Sequence, residues 1–409
     1  MTAATTAPAL APSLLAAITR GLHRLPQLLA PAEDASLFTG QLGRVLVYAY
    51  AYKLTGEEAH WAHMAQGLDA LLHKLQDPAT AYLLVQPGLL PNLGYLLQVL
   101  RSDAIVDIDL GEPTLQQFDA LIYRNALVYL RAQNIDLLYG AAGALHYLGT
   151  RAAGRPHVQE YLHELLRELL ANKLEDARGI RFYNSRINQA NGDDTLNIGL
   201  SHGHCGLLLV LLQLHEAGVL QAELAPLANR MVDYLLSLQL PPEPAQGWPA
   251  FFPTRYHEEL PLTHVRNRQT CNNHLGWCYG DLNVVQVLYQ AHRVLNRPEL
   301  LPLADRVGEY TAARRTGRDC SIDNPFLCHG SASLVLYYRR LYALRPLPCY
   351  LDAHRYWWQR TQQEVPAALA LPPDAFQVTS LLMGVPGLLL MLISEALEEP
   401  LAWPQLLLL

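Results

Sequence analysis

Three short segments carry the residues best suited to chemistry: His202 in LSHGHCG, Cys278 in WCYG, and Cys328 with His329 in FLCHG. Two thiols and an imidazole form a soft ligand set that suits zinc, and three protein donors leave a fourth position open, as catalytic sites require. Two thiolates and a neutral imidazole bring such an ion close to zero net charge. That makes it a poor activator of water and a good holder of a further thiolate. A thiol with a free pKa of about 8.5 would lose its proton there at neutral pH and remain nucleophilic. Asp136 in IDLLYGAAG, together with His202, is placed to move the proton that such a reaction needs. Plainer accounts exist for each residue: core cysteines, a capping or core histidine, an N-cap aspartate. A closed structural site with Cys205 or Cys271 as fourth donor is a further alternative.

These residues share a register. A glycine element recurs ahead of apolar helical runs at Gly40-Gln-Leu-Gly43, Gly140-Ala-Ala-Gly143, Gly203-His-Cys-Gly206 and Gly384-Val-Pro-Gly387. Degenerate copies stand at Gly280-Asp-Leu-Asn283 and Gly330-Ser-Ala-Ser333, and the least regular runs from Gly88 to Gly94. A period of roughly 50 residues marks a repeat fold. Counted back from the first glycine, His202 and His329 stand at minus one, Cys278 and Cys328 at minus two, and Asp136 at minus four. The reactive side chains therefore converge at one end of adjacent helices.

The intervals hold a second, amphipathic helix. Trp61, Met64, Leu68, Leu71, Leu72 and Leu75 recur at spacings of three and four, as do Leu224, Leu227, Met231 and Leu235. The glycine-started helices are apolar all round and must be buried on every side, which favours closure into a ring. The expected fold is all-α: an α/α toroid of about seven outer and seven inner helices, forming a single domain over residues 1–409. Residues 174–199 and 240–273, rich in Pro, Gly and Asn, read as irregular insertions of loop or short strand rather than helix, lying over the mouth of the ring.

Composition narrows the function. The chain of 409 residues is 51% hydrophobic and 16% charged, with a net charge of -7. No concentrated basic face supports nucleic-acid binding. Lysine occurs only at positions 53, 74 and 173, none in a Walker-type loop, which argues against a P-loop enzyme. The start, MTAATTAPALAPSLLAAITRG, lacks the basic head and apolar middle of a secretory signal, and no run is long enough to span a membrane. A cytoplasmic location follows, in which cysteines serve as ligands, nucleophiles or core residues rather than disulfides.

NIGLSHGHCG, WCYGD, FLCHGSAS and IDLLYGAAG together resemble the lanthionine synthetase C-like family, the lantibiotic cyclases, over about residues 36 to 395. The WCYG and CHG pair, in this order and roughly 50 residues apart, is the specific part of the likeness. The resemblance implies one Zn²⁺ per chain, held by Cys278, Cys328 and His329. It also implies addition of a precursor-peptide Cys thiol to dehydroalanine or dehydrobutyrine, closing a lanthionine or methyllanthionine ring. His202 would protonate the enolate, Asp136 would assist, and Tyr279 would line the site. Relatives often carry Arg four residues before the first zinc cysteine; here His274 stands there, and a protonated His would substitute for the charge. His204 and Cys205 fill variable positions, with His204 within possible reach of the metal. A dehydratase and a membrane exporter are implied partners, and with them a peripheral place at a membrane-associated complex.

Two other readings keep part of this picture. One is a transferase adding a small thiol, such as glutathione, to dehydroamino acids in proteins; the other is a non-catalytic, peptide-binding repeat scaffold. The prenyltransferases, other zinc toroids that activate thiols, have motifs absent here. His264, Arg266 and Arg268, on the second insertion, offer either a docking place for an acidic leader or a solvated loop face.

Overall fold

The computed structural model describes residues 12–28, 34–107 and 111–409; the reading of the extreme N-terminus falls partly on residues 1–11, outside them. The helices begin with α1 (Pro12–Arg24), α2 (Gln41–Thr55), α3 (Glu58–Gln76), α4 (Leu89–Ser102), α5 (Glu112–Arg131), α6 (Ala141–Arg151) and α7 (Pro156–Ala171). After a short helix α8 (Ser185–Asn191) come α9 (His204–Glu216), α10 (Gln221–Ser237), α11 (Val265–Gln269), α12 (Asp281–Leu295) and α13 (Leu300–Ala313). The last four are α14 (Gly317–Cys320), α15 (Ser331–Leu344), α16 (Pro348–Leu369) and α17 (Val385–Leu397).

Helices α2, α4, α6, α9, α12, α15 and α17 each start directly after the first glycine of a repeat, and they form an inner ring. Their burial follows from composition: in α9 every residue from His204 to Leu212 is buried. Helix α17 packs against α2, which closes the ring, and α1 lies against α16 and α17 as the seventh outer helix. The other outer helices are α3, α5, α7, α10, α13 and α16. The fold is the expected all-α toroid.

One loop design sets the register of the mouth. The N–H of the first helical residue bonds back to the carbonyl six residues before the glycine: Gln41 to Asp34 (3.0 Å), Ala141 to Asn134 (3.1 Å), Ser331 to Asn324 (2.8 Å) and Val385 to Val378 (3.0 Å). The chain closes so tightly that a Cβ at Gly203 would lie 2.3 Å from the Asn197 carbonyl oxygen. Close backbone approach, not an unusual φ, is therefore what requires glycine there. Gly280 needs it for both reasons, with φ 113.

Neighbouring loops are then tied to one another. Leu137 N–H donates to the Ser201 carbonyl (3.2 Å), Leu200 to Cys278 (3.0 Å), Trp277 to Cys328 (2.8 Å), Cys328 to Leu382 (2.8 Å) and Leu381 to Phe38 (2.8 Å). This belt runs from the third repeat through the seventh to the first. It holds the residues just before each glycine side by side at the mouth.

The two insertions carry short antiparallel pairs. Strands β1 (Leu174–Asp176) and β2 (Gly179–Arg181) form a hairpin, and β3 (Leu196–Asn197) from the first insertion pairs with β4 (Arg255–Tyr256) from the second. The expectation of no helix in these segments needs correction, because α8 and α11 lie within them. Each is started by a side-chain cap: Asn184 Oδ1 accepts from Arg186 N (3.2 Å) and His264 Nδ1 from Arg266 N (3.2 Å). Buried Asp281 pins the second insertion by accepting from Phe251 N (3.0 Å) and Phe252 N (3.1 Å). Burial raises its carboxyl to about 6 against the pull of those bonds and of Arg314. No single described helix is long and apolar enough to cross a membrane.

Candidate metal centre

Cys278 comes from the loop before α12, and Cys328 and His329 from the loop before α15. The belt joins these two loops, with Trp277 N and Cys278 N both directed at the Cys328 carbonyl (2.8 and 3.4 Å). One donor atom from each of Cys278, Cys328 and His329 lies within 4.8 Å of the others. Ligands about 2.3 Å (sulfur) and 2.0 Å (nitrogen) from a tetrahedral zinc ion sit roughly 3.5–3.8 Å apart, so the set fits zinc in both softness and spacing.

The electrostatics point the same way. A hydrogen bond from Cys328 holds the Cys278 thiol well below its ordinary pKa, against burial and with help from His274 and His329. Cys328 is pushed up by its thiolate neighbour and by burial. His329 is raised by its hydrogen bond to Cys278, more than burial lowers it. Two sulfurs this close do not both ionise without a cation between them.

Beside the donors lies a second cluster. His202 Nδ1 is 2.7 Å from Asp136 Oδ2. The other carboxylate oxygen accepts from Leu138 N (2.9 Å) and Tyr139 N (3.0 Å). Burial pulls the His202 pKa down, but the Asp136 charge and hydrogen bond, with a contribution from Cys278, leave it raised overall. Asn184, which sequence reasoning missed, donates to Asp136 Oδ2 (3.1 Å) and to the His202 carbonyl (2.8 Å), locking the two together. Nothing in the sequence marks it as part of a site.

Tyr279 stands between two histidines, its ring centroid 6.4 Å from His202 and 6.1 Å from His274. Its hydroxyl accepts from Asn197 Nδ2 (2.9 Å), and burial pushes its pKa up to about 12. His274 Nε2 lies 3.6 Å from the Cys278 sulfur. All seven expected site residues are thus gathered at one end of the inner ring.

A model of the lanthionine synthetase C-like protein family matches residues 31–408. The chain belongs to the lanthionine synthetase C-like family. In three dimensions this lanthionine synthetase C-like chain is similar to nisin cyclase, with a TM-score of 0.70, 16% identity and 96% of each chain covered. That likeness is one of fold. A sugar epimerase from a ruminal bacterium aligns with a TM-score of 0.39 at 12% identity over 86% of each chain. Cellobiose 2-epimerase from Bacillus thermoamylovorans B4167 gives 0.36 at 10% identity, over 79% of this chain and 75% of that one.

Three secondary expectations for the lanthionine synthetase C-like site change. His204 turns away from the metal donors: as the first residue of α9 it is buried, with Nε2 2.9 Å from the Met231 carbonyl and its ring against Tyr234. Burial lowers its pKa to about 4. Cys205 and Cys271 do not join the donors either; Cys205 packs in the core, and Cys271 lies in a small separate cluster with Leu240 and Ala250. Arg268 is no exposed docking charge, because it is buried, ion-paired with Glu243 and stacked over Trp248 at 4.6 Å. Arg266 remains exposed.

Proposed function

We propose that this chain is a zinc-dependent lanthipeptide cyclase, acting as one domain. It would add Cys thiols of a dehydrated precursor peptide to dehydroalanine or dehydrobutyrine and close thioether rings. The observation carrying this reading is the placement of Cys278, Cys328 and His329 on adjoining loops beside the His202–Asp136 pair. A zinc ion at that site supplies a Lewis acid that lowers the pKa of an incoming thiol.

The residues divide the remaining work. Cys278, Cys328 and His329 hold the ion, and His274 orients the Cys278 sulfur from 3.6 Å. The peptide S–H gives up its proton to solvent, and the sulfur's electron pair forms a C–S bond at the β-carbon as the C=C π bond breaks. The displaced pair moves onto the α-carbon and its carbonyl. His202, engaged by Asp136 through Nδ1, delivers a proton from Nε2 to that carbon; one proton leaves and one arrives. Asp136, held in place by hydrogen bonds from Leu138, Tyr139 and Asn184, orients the His202 ring and stabilises the imidazolium. Tyr279, kept protonated by burial, lines the opening between the two histidines.

The dehydro residues must come from a reaction that dehydrates Ser and Thr, so a dehydratase acts before this protein. An exporter, and a cytoplasmic place beside the membrane, follow from the family resemblance. The test is incubation of the zinc-loaded protein with a dehydrated, Cys-containing peptide. Ring closure leaves the mass unchanged while the thiol stops reacting with N-ethylmaleimide. A zinc-loaded protein inert on such peptides but adding glutathione to them is instead a thiol transferase.

A further inference from the structure

A large cavity lies at the opposite end of the ring from the metal donors. It measures about 940 Å³ and opens among the C-terminal halves of α6, α9, α15 and α17. Along α15, Arg340 lies roughly 14 Å from Ser331, the first residue after the donor loop, at about 1.5 Å rise per residue. Nothing in the proposed cyclase chemistry uses this space. Its size is that of a small-molecule site, mostly apolar with a few fixed polar groups.

The apolar wall comes from Tyr95, Val210, Leu214, Leu336 and Trp358. Among the charged residues that line it, most are matched. Arg339 pairs with Glu395 at 2.8 Å, and Glu399 pairs with Lys53 at 3.0 Å. Glu398 is exposed at the rim. His146, partly buried beside Tyr95, is lowered to about 4 by burial and brings no positive charge at neutral pH.

Arg340 is the exception. It is partly buried, its Nε is buried without a hydrogen-bond partner, and among the described residues it forms no ion pair. Glu216, the acidic group that acts on it electrostatically, is already taken by Arg293 (2.8 Å) and Gln290 (2.6 Å). Burial, then repulsion from Arg293, weakens its hold on the proton. On the facing helix the side-chain amide of Gln213 also lacks a partner among the described residues and lines the same cavity. A guanidinium left this way is costly unless something anionic meets it, and a planar carboxylate is the group its fork best accommodates.

We propose that this cavity is a second binding site, distinct from the metal centre, for a ligand with an apolar body ending in a carboxylate, which Arg340 and Gln213 receive. Two sources share that chemistry: a fatty carboxylate, and an apolar peptide with a free C-terminus. The test is calorimetric titration of the full chain with octanoate and with acetyl-Leu-Leu-Leu, each against its neutral amide. At least one carboxylate binds about tenfold or more tightly than its amide, and the stronger of the two names the source. Arg340→Gln removes that preference and leaves amide binding within about twofold. Ala343→Trp, a change at an exposed position on the cavity mouth, blocks both ligands while the zinc content stays the same. Amides that bind as well as the acids, or an Arg340→Gln protein that keeps the preference, overturn the proposal. So does undiminished binding in Ala343→Trp, which settles the matter should Arg340→Gln not fold.

Discussion

Asp136→Asn removes one charge and keeps the shape, which makes it the sharpest probe of the acid–base pair. The wild-type carboxylate accepts on both oxygens: Leu138 N and Tyr139 N on one, His202 and Asn184 on the other. An asparagine offers a single acceptor oxygen, so in either orientation its NH₂ faces two donors. Each donor left unsatisfied costs about 1–3 kcal/mol, which gives about 2–6 kcal/mol in total. The lost attraction is of similar size, about 4 kcal/mol for charges roughly 4 Å apart at an effective dielectric of about 20. His202 then loses the two Asp136 interactions that raise its pKa, leaving burial, which lowers it, opposed only by the smaller influence of Cys278.

The sign of the pH effect follows from that raised pKa. The His202–Asp136 charge pair contributes stability fully below the unfolded histidine value of about 6.5, and that contribution fades as pH rises through the raised folded value. The melting difference between wild type and Asp136→Asn is therefore largest near pH 6 and narrows in alkaline buffer. Turnover on a dehydrated peptide falls about 10²–10⁴-fold, the usual worth of a positioned acid or base, and the limb set by the protonated histidine moves to lower pH. Zinc content is unchanged. A variant with wild-type turnover, or one whose deficit tracks lost zinc, would refute this account of Asp136.

The remaining expectations concern the ligands and the loops. Cys278→Ala drops zinc from about one per chain to near none by elemental analysis, because the two donors left do not hold it. Zinc uptake releases at least one proton, since Cys328 is held protonated beside the Cys278 thiolate; affinity falls as pH falls, and titrations in buffers of different ionisation enthalpy count the protons. Asn184→Ala costs about 1–3 kcal/mol in urea unfolding and reduces turnover without releasing metal, because it frees both Asp136 and the His202 carbonyl. Gly203→Ala places a Cβ 2.3 Å from the Asn197 carbonyl oxygen and costs about 1–3 kcal/mol, with His202 displaced and turnover reduced.

Much of the ring was legible because one local rule repeats. Glycine is needed wherever the loop doubles back on the helix start, so each first glycine marks an inner helix, and counting back from it locates the residues at the mouth. Cys278, Cys328, His329, His202 and Asp136 were readable for that reason. Asn184 was not, because it sits in an insertion outside the repeat register, in a stretch that reads as irregular chain. The belt of hydrogen bonds is made by backbone atoms, to which residue types are blind. Arg268 looked like a solvated loop charge, and only its packing on Trp248 and Glu243 reveals otherwise. Arg340, in the run YYRRLY, reads as an ordinary helix-surface arginine until the far-end cavity surrounds it.

The most direct test of the central claim is X-ray absorption at the zinc edge, with and without a Cys-containing dehydrated peptide. The account predicts two sulfurs at about 2.3 Å, one imidazole nitrogen at about 2.0–2.1 Å and one exchangeable light atom. Adding peptide should raise the sulfur count to three. Four protein donors in the free protein, or a sulfur count that peptide leaves at two, would contradict it.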